Sequence, residues 1–318
     1  MRRSPVVFAL LLTLLLAACG GAPAAQSPTS PPAPTVAPTV VPTVAAPTAS
    51  TDAPTTEATT TAPAGTTLNV FAAASLTDAF KALAPAFEAA HPGVTLVFNF
   101  AGAQQLATQI NEGAPADVFA SANRAQMDVL IASGKVISAT AHTFVRNRLV
   151  VITPKANPAG ITSLKDLAKP GLKLILAAKA VPVGQYALAF LAKASALPEY
   201  TDSFSATVLA NVVSYEDNVR SVLTKIALGE GDAGIVYTTD AATQADKVAE
   251  IAIPDTLNVI ATYPIAPLAD SKATALAQAF VDYVLAPEAQ QVLVKYGFIS
   301  ETGAAPGIVP TAKPTEVK

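Results

Sequence analysis

Short apolar runs alternate with amphipathic segments from about residue 67 of this 318-residue chain. The run Leu68 to Phe71 predicts a buried strand, and the apolar residues of 76–87 recur at helical spacing. Further strands are predicted at 94–100, 117–120, 149–152, 172–177, 208–213 and 233–237. Strands that alternate with helices predict an α/β fold, with mainly parallel sheets flanked by helices.

The length of this globular part predicts two lobes, because about 250 residues exceed the usual size of one domain. The strand near Val150 and the segment 263–266 are predicted to connect the lobes. The first lobe would then be discontinuous. We expect lobe 1 at 67–148 plus 258–302 and lobe 2 at 149–257, with a cleft and a two-stranded hinge between them.

Residues 1–18 have the features of a secretory signal peptide. Arg2 and Arg3 precede an apolar run that is short for a membrane span, and small residues follow it. Residues 16–19 (LAAC) resemble the bacterial lipobox, in which the cysteine becomes lipidated. Cys19 is the only cysteine, which excludes disulfides within the chain. We therefore expect a lipid anchor at Cys19 and a location outside the cytoplasmic membrane.

The two ends of the mature chain are predicted to lack fixed structure. Ten of the 26 prolines fall between Gly20 and Thr66, a stretch made mostly of Pro, Thr and Ala. Such a composition offers too little apolar surface to offset the entropy of ordering. We expect a disordered tether at 19–66 and a loose tail at 303–318.

The inventory of reactive residues favours a binding protein over an enzyme. The two histidines, His91 and His142, belong to no metal-binding motif, and no G-x-S-x-G nucleophile motif occurs. A hydrolase that uses distant carboxylates stays open as an alternative. The net charge of −3 argues against a nucleic-acid partner. No cofactor is expected.

Five junctions between strands and helices offer chemistry suited to an anion. They lie near Ser75, Ala103, Val183, Val219 and Tyr237, where small residues or hydroxyls meet helix starts. The first N–H groups of a helix are unpaired and carry a positive partial charge, so they bind anions. A fully ionised oxyanion only accepts hydrogen bonds and needs such donors on every side.

Four of these residues also have a purely structural interpretation. Ser75 fits the first position of an S-x-x-D capping box. Tyr237 fits an aromatic residue at a strand end. Val183 and Val219 have apolar side chains that suit ordinary packing at a helix start, so any ligand contact must come from their backbone.

Six segments resemble the periplasmic molybdate-binding protein family of ABC importers, over Leu68 to about Phe298. They occur in consistent order and are 70–78 (VFAAASLTD), 113–122 (GAPADVFASA), 181–186 (VPVGQY), 217–220 (DNVR), 232–241 (DAGIVYTTDA) and 263–266 (YPIA). The resemblance implies a two-lobed type II binding fold that closes over one molybdate or tungstate ion.

The resemblance also implies the ligand contacts. These would be the hydroxyl and amide of Ser75, the amides of Val183 and Val219, and the hydroxyl of Tyr237. A second serine of the family falls on Ala103, so one hydroxyl donor is missing while the amide remains. The adjacent Gln104 is a candidate for an additional contact, although a solvated helix position is its structural alternative.

The function implied is that of a lipid-tethered receptor, expected to be a monomer. It would deliver molybdate or tungstate to a membrane permease with a cytoplasmic ATPase, and the only metal would be that of the ligand. The alternatives are a receptor of the same fold for sulfate, phosphate or a small organic acid, and the lipid-anchored hydrolase.

Overall fold

A computed structural model describes residues 65–301, and helices alternate with strands along them. The strands are β1 Thr66–Ala73, β2 Val94–Ala101, β3 Val118–Ala120, β4 His142–Asn147, β5 Leu149–Pro154, β6 Leu174–Ala177, β7 Val212–Glu216, β8 Ala233–Tyr237, β9 Val248–Ala252, β10 Ala261–Pro267 and β11 Ile299–Ser300. The helices are α1 Thr77–Ala90, α2 Ala103–Asn111, α3 Arg124–Ala132, α4 Pro182–Ser195, α5 Phe204–Ala210, α6 Val219–Ala227, α7 Thr238–Ala242, α8 Thr274–Leu285 and α9 Pro287–Lys295.

The strands form two sheets, and each sheet is the centre of one lobe. The first sheet has the order β11-β4-β10-β3-β1-β2, and the second has the order β7-β6-β8-β5-β9. The two-lobed α/β architecture is as predicted. The sheets are mixed rather than mainly parallel, because β4, β5, β9, β10 and β11 pair antiparallel to their neighbours. Several of these strands carry the chain into or out of a lobe and do not return through a crossover helix.

The chain passes between the lobes twice, and Asn258 joins the two passages. The first passage lies at Arg148, between β4 and β5, and the second lies between β9 and β10. The Asn258 side chain accepts from the Leu149 N–H at 3.1 Å and donates to the Leu149 carbonyl at 2.9 Å. The buried amide therefore holds the two connections side by side, as a hinge requires.

The structure differs from the sequence predictions at several elements. The strand β4 was not predicted, because its polar residues obscure the buried pair Phe144 and Val145. Residues 208–210 end helix α5 instead of beginning a strand, since Phe204 and Val208, one turn apart, are both buried. Thr66, assigned to the tether, already belongs to β1, where it pairs with Val94.

Helix α1 is fixed on the first sheet by an aromatic cluster. Phe80 is fully buried, and its ring centroid lies 5.9 Å from that of Phe144 and 6.0 Å from that of Phe280. Such ring pairs stabilise a core beyond the area that they bury. The cluster therefore fixes the position of the turn that precedes α1.

The signal peptide, Cys19, most of the tether and the tail at 303–318 lie outside the described residues. Within 65–301, the helices are all too short or too polar to cross a membrane.

Candidate functional site

The five residues predicted from the strand and helix junctions line a single cavity between the two lobes. The remaining lining residues are small or apolar: Ala73, Ala74, Ala101, Gly102, Ala122, Val181 and Pro182. The cavity is small, with a volume of about 10 Å³. Neither a carboxylate nor a cationic side chain occurs among its lining residues.

The five residues meet because each follows, or ends, a parallel strand of its sheet. Ser75 and Ala103 follow the parallel strands β1 and β2 of lobe 1. Val183 and Val219 follow the parallel pair β6 and β7 of lobe 2, and Tyr237 ends β8, which is parallel to β6. The carboxyl ends of parallel strands open at one edge of a sheet, which is where α/β proteins bind ligands.

On the side of lobe 1, Ser75 lies in a single 3₁₀ turn, Ala74–Leu76, that joins β1 to α1. The cap of α1 is Leu76, and no side chain caps it, so the capping interpretation of Ser75 is wrong. The Ser75 hydroxyl instead lies 2.9 Å from the hydroxyl of Tyr263. Ala103 is the first residue of α2.

On the side of lobe 2, two helix starts face the cavity. Val183 is the second residue of α4, after Pro182, which suits a first helical turn. Val219 is the first residue of α6, and the Asn218 side chain caps that helix by accepting from the Ser221 N–H at 3.0 Å. Amides at these positions have no acceptor within their helix. They are therefore available as donors to an anion.

Tyr237 supplies a hydroxyl at the same wall of the cavity. Its side chain is 1% exposed, and its hydroxyl has no hydrogen-bond partner among the described residues. Burial raises the pKa of Tyr237 well above its usual range, so the hydroxyl keeps its proton. A buried hydroxyl without a partner costs roughly 1–3 kcal/mol, which a ligand that accepts its proton would offset.

The cation that directly follows Val219 in the sequence is paired with two carboxylates. Arg220 donates to Asp240 at 2.5 Å and to Asp78 at 2.7 Å. Asp78 belongs to α1 and Asp240 to α7, so this ion pair network also joins the lobes. Burial raises the pKa of Asp240 to about 6, while Arg220 opposes the shift. The guanidinium is therefore engaged on both sides and is not a free anion clamp.

The rim of the cavity is closed by direct contact between the lobes. Gln104 donates from Nε2 to the carbonyl oxygen of Asp217 at 2.8 Å, and its Oε1 is buried without a partner. A Cβ on Gly102 would overlap the same carbonyl oxygen. Gln104 thus lies on the contact between the lobes and is not among the cavity-lining residues.

Sequence reasoning missed several residues that shape the site. Gly102 lies in no matched segment, and Asp217 lies in the matched segment 217–220 without a predicted role; only the approach of the lobes reveals their contact. Tyr263 contacts the Ser75 hydroxyl, and Asn147 Nδ2 lies 3.5 Å from the Tyr263 hydroxyl. Tyr263 belongs to the matched segment 263–266, so the resemblance pointed to this residue, but it did not predict a role for it.

The model of the family of bacterial extracellular solute-binding proteins matches residues 68–299. The chain belongs to this family. Membership assigns it a binding role in solute uptake and groups it with extracellular proteins.

Named relatives of this solute-binding protein agree with that assignment. The chain is 38% identical to the molybdate-binding protein ModA of Mycobacterium tuberculosis over 243 residues, which is 75% of this chain and 88% of the relative. It is 32% identical to ModA of Escherichia coli over 237 residues, which is 73% of this chain and 88% of the relative.

A solved structure supports the fold. The periplasmic molybdate-binding protein of Azotobacter vinelandii is 21% identical and superposes with a TM-score of 0.62, over 73% of this chain and 98% of the other. The two-lobed fold of type II periplasmic binding proteins is thereby confirmed.

The contact at the rim can be tested by substitution. Gly102→Ala should hold the lobes apart, because the added methyl group overlaps the Asp217 carbonyl. Gln104→Ala removes only the bond and should open the lobes less. We expect a larger radius of gyration by small-angle scattering for Gly102→Ala than for wild type, both in excess sodium molybdate. Gln109→Ala is the matched control, since its partner Asn99 lies in the same lobe; an unchanged radius for Gly102→Ala would contradict the closure.

The buried carboxyl of Asp240 predicts a pH effect on stability. Its pKa is about 6 when folded and 3.8 in the reference state, so the native protein binds more protons between these values. Stability contributed by Asp240 should therefore fall as the pH rises from 4 to 6. We expect the free energy of unfolding of wild type, relative to Asp240→Asn, to drop over this range by up to about 3 kcal/mol. Urea denaturation of both proteins measures this, and a flat or rising difference would contradict it.

Proposed function

We propose that this solute-binding protein is the receptor of an ABC importer for molybdate, or for tungstate of the same charge and shape. Its relatives named ModA are molybdate-binding proteins. The cavity chemistry supports the same ligand independently of those names, because helix starts and hydroxyls from both lobes surround a space without charged side chains.

The observation that carries the proposal is the unpartnered Tyr237 hydroxyl in the cavity wall. A dianionic tetrahedral oxyanion can accept on every oxygen, so it satisfies this hydroxyl, the Ser75 hydroxyl and the amides of Ala103, Val183 and Val219 together. Hydrogen bonds to a charged group contribute about 1.5–3 kcal/mol each. The ion needs no cationic partner, since helix dipoles supply the positive potential.

The size and polarity of the cavity disfavour the other candidate ligands. A cavity volume of about 10 Å³ is far below the roughly 300–1,000 Å³ typical of sites for larger organic ligands. Phosphate retains a proton near neutral pH and calls for an acceptor, yet no carboxylate lines the cavity. Sulfate has the right charge and is smaller, so it would leave some donors at longer distances.

Binding and closure of the lobes would be one event. Ser75 and Ala103 belong to lobe 1, whereas Val183, Val219 and Tyr237 belong to lobe 2, so an ion held by all five favours the closed arrangement. The contact of Gln104 with Asp217 then covers the ion. The closed form is the one we expect the permease to recognise, with a cytoplasmic ATPase driving transfer.

The proposal includes attachment to the membrane through a lipid on Cys19, with the tether that precedes β1 giving the lobes reach to the permease. Support for the anchor comes from the sequence around Cys19 alone. We also propose that the receptor acts as a monomer, uses no cofactor and catalyses no reaction.

Ligand identity can be tested by thermal unfolding in a series of sodium salts. A ligand that binds only the native state stabilises it by RT ln(1 + [L]/Kd), or about 4.1 kcal/mol at a thousandfold excess over Kd. We expect a concentration-dependent rise in Tm with molybdate and tungstate, and little change with sulfate or phosphate. A response to sulfate or phosphate without one to molybdate would overturn the assignment.

Tyr237→Phe should change stability and binding in opposite directions. The substitution removes a buried hydroxyl that lacks a partner, so the unliganded protein should unfold at an equal or higher temperature. Affinity for molybdate should fall roughly tenfold to a hundredfold, since a hydrogen bond to a charged group is lost. Calorimetry measures the affinity. Tyr283→Phe is the matched control, because that hydroxyl donates to the Leu83 carbonyl away from the cavity.

A further inference from the structure

A chain of side-chain hydrogen bonds runs from the first passage between the lobes to Ser75. Its members are Asn147, Tyr263 and Ser75, all at most 3% exposed. From the direction in which each of these hydrogen bonds is donated, we infer that Asn147 and Tyr263 are positioning residues. They orient the Ser75 hydroxyl so that it donates into the cavity. The inference rests on the proposed function and extends it to how protonated oxyanions are rejected.

The orientation of the Asn147 amide fixes the direction of the chain. Its Oδ1 lies 2.9 Å from the backbone N–H of Arg148, a group that can only donate. The atom facing Arg148 must therefore be the oxygen. The NH₂ group consequently faces the other way, 2.8 Å from Thr239 Oγ1 and 3.5 Å from the Tyr263 hydroxyl.

The Tyr263 hydroxyl then has one direction left for its own proton. On the side of Asn147 it meets a donor, so it can only accept there. The 3.5 Å separation makes that contact weak, but the NH₂ group still excludes a second hydrogen from this side. The hydroxyl of Tyr237 also lies near it but forms no hydrogen bond of normal geometry, so Ser75 Oγ, at 2.9 Å, is the acceptor that remains. Burial raises the pKa of Tyr263, so the donor proton stays in place.

Ser75 is thereby left with its proton free. Its oxygen accepts from Tyr263, and its hydrogen can turn toward the cavity that it lines. A fully ionised oxyanion presents a lone pair there and gains a hydrogen bond. If the facing oxygen of the oxyanion carried a proton, that proton would meet the proton of the Ser75 hydroxyl, and no hydrogen bond would form.

The chain is held from both lobes. Asn147 ends β4 of lobe 1, while Thr238 and Thr239 begin α7 of lobe 2, directly after Tyr237. Thr238 donates to Asn147 Oδ1 at 3.2 Å, which reinforces the same amide orientation. The orientation of the Ser75 proton is therefore coupled to the arrangement of the lobes around the hinge.

A double-mutant cycle with Tyr263→Phe and Ser75→Ala tests this coupling. In wild type, Tyr263→Phe should weaken molybdate binding roughly five- to tenfold, because the Ser75 hydroxyl loses its fixed direction. In the Ser75→Ala background, the same substitution should change the affinity less than roughly twofold, since no hydroxyl remains to be oriented. Calorimetry gives all four dissociation constants, and thermal unfolding of the unliganded proteins reports any loss of packing.

Equal losses of affinity in both backgrounds would overturn the inference, because they would show that Tyr263 acts through packing alone. Tyr283→Phe serves as the matched control and should leave the affinity unchanged in both backgrounds. If wild type bound sulfate and not molybdate, the proposed ligand would be wrong, and the same cycle run with sulfate would still decide the role of Tyr263. A rise in phosphate affinity relative to molybdate in Tyr263→Phe would support the selectivity argument, and a fall would contradict it.

Discussion

An anion that only accepts hydrogen bonds has to be met by donors from every side, and this requirement organises the cleft. Peptide N–H groups at helix starts carry partial positive charge, so gathering several of them around one space is unfavourable until an anion arrives. The structure gathers them because each helix follows a parallel strand, and such strands open at the same edge of their sheet. The two sheets turn these edges toward each other.

The lining of the cavity also contains no charged side chain. A free guanidinium would bind many different anions tightly. Helix starts bind selectively, because an ion gains all of their hydrogen bonds only when its oxygens match the positions of the N–H groups. Arg220 directly follows Val219 of the cavity wall, but Asp78 and Asp240 bind its guanidinium on two sides. The network also bridges the lobes, so neutralising this cation and fixing the closed arrangement depend on the same contacts. The elevated pKa of Asp240 reflects how deeply this network is buried.

The lobes meet through backbone as much as through side chains. Gly102 admits the Asp217 carbonyl only because it lacks a Cβ, and Gln104 donates to that same oxygen. Asn258 ties the two passages of the chain together at the other end of the cleft. Contacts at the rim and at the hinge thus hold the lobes closed. The residues predicted to contact the ligand lie between these contacts and remain available to bind it.

The sequence by itself determined the local chemistry of this protein. Apolar periodicity predicted strand β1 and helix α1, the alternation of strands and helices predicted the α/β class, and the length of the globular part predicted two lobes. The five junctions were recognisable because small residues and helix starts are encoded by neighbours in the chain. The lipid anchor at Cys19 stays a prediction from sequence.

Only the tertiary structure decided which of these features belong together and which way their protons point. Ser75 fits a capping motif equally well on paper, and it is the distant Tyr263 that engages its hydroxyl. Antiparallel pairing of β4 could not be predicted, because its partners β10 and β11 lie more than a hundred residues away. The contact of Gly102 with Asp217 is also invisible in sequence. Contacts across a cleft depend on how two separately folded lobes meet, and no local pattern of residues records that.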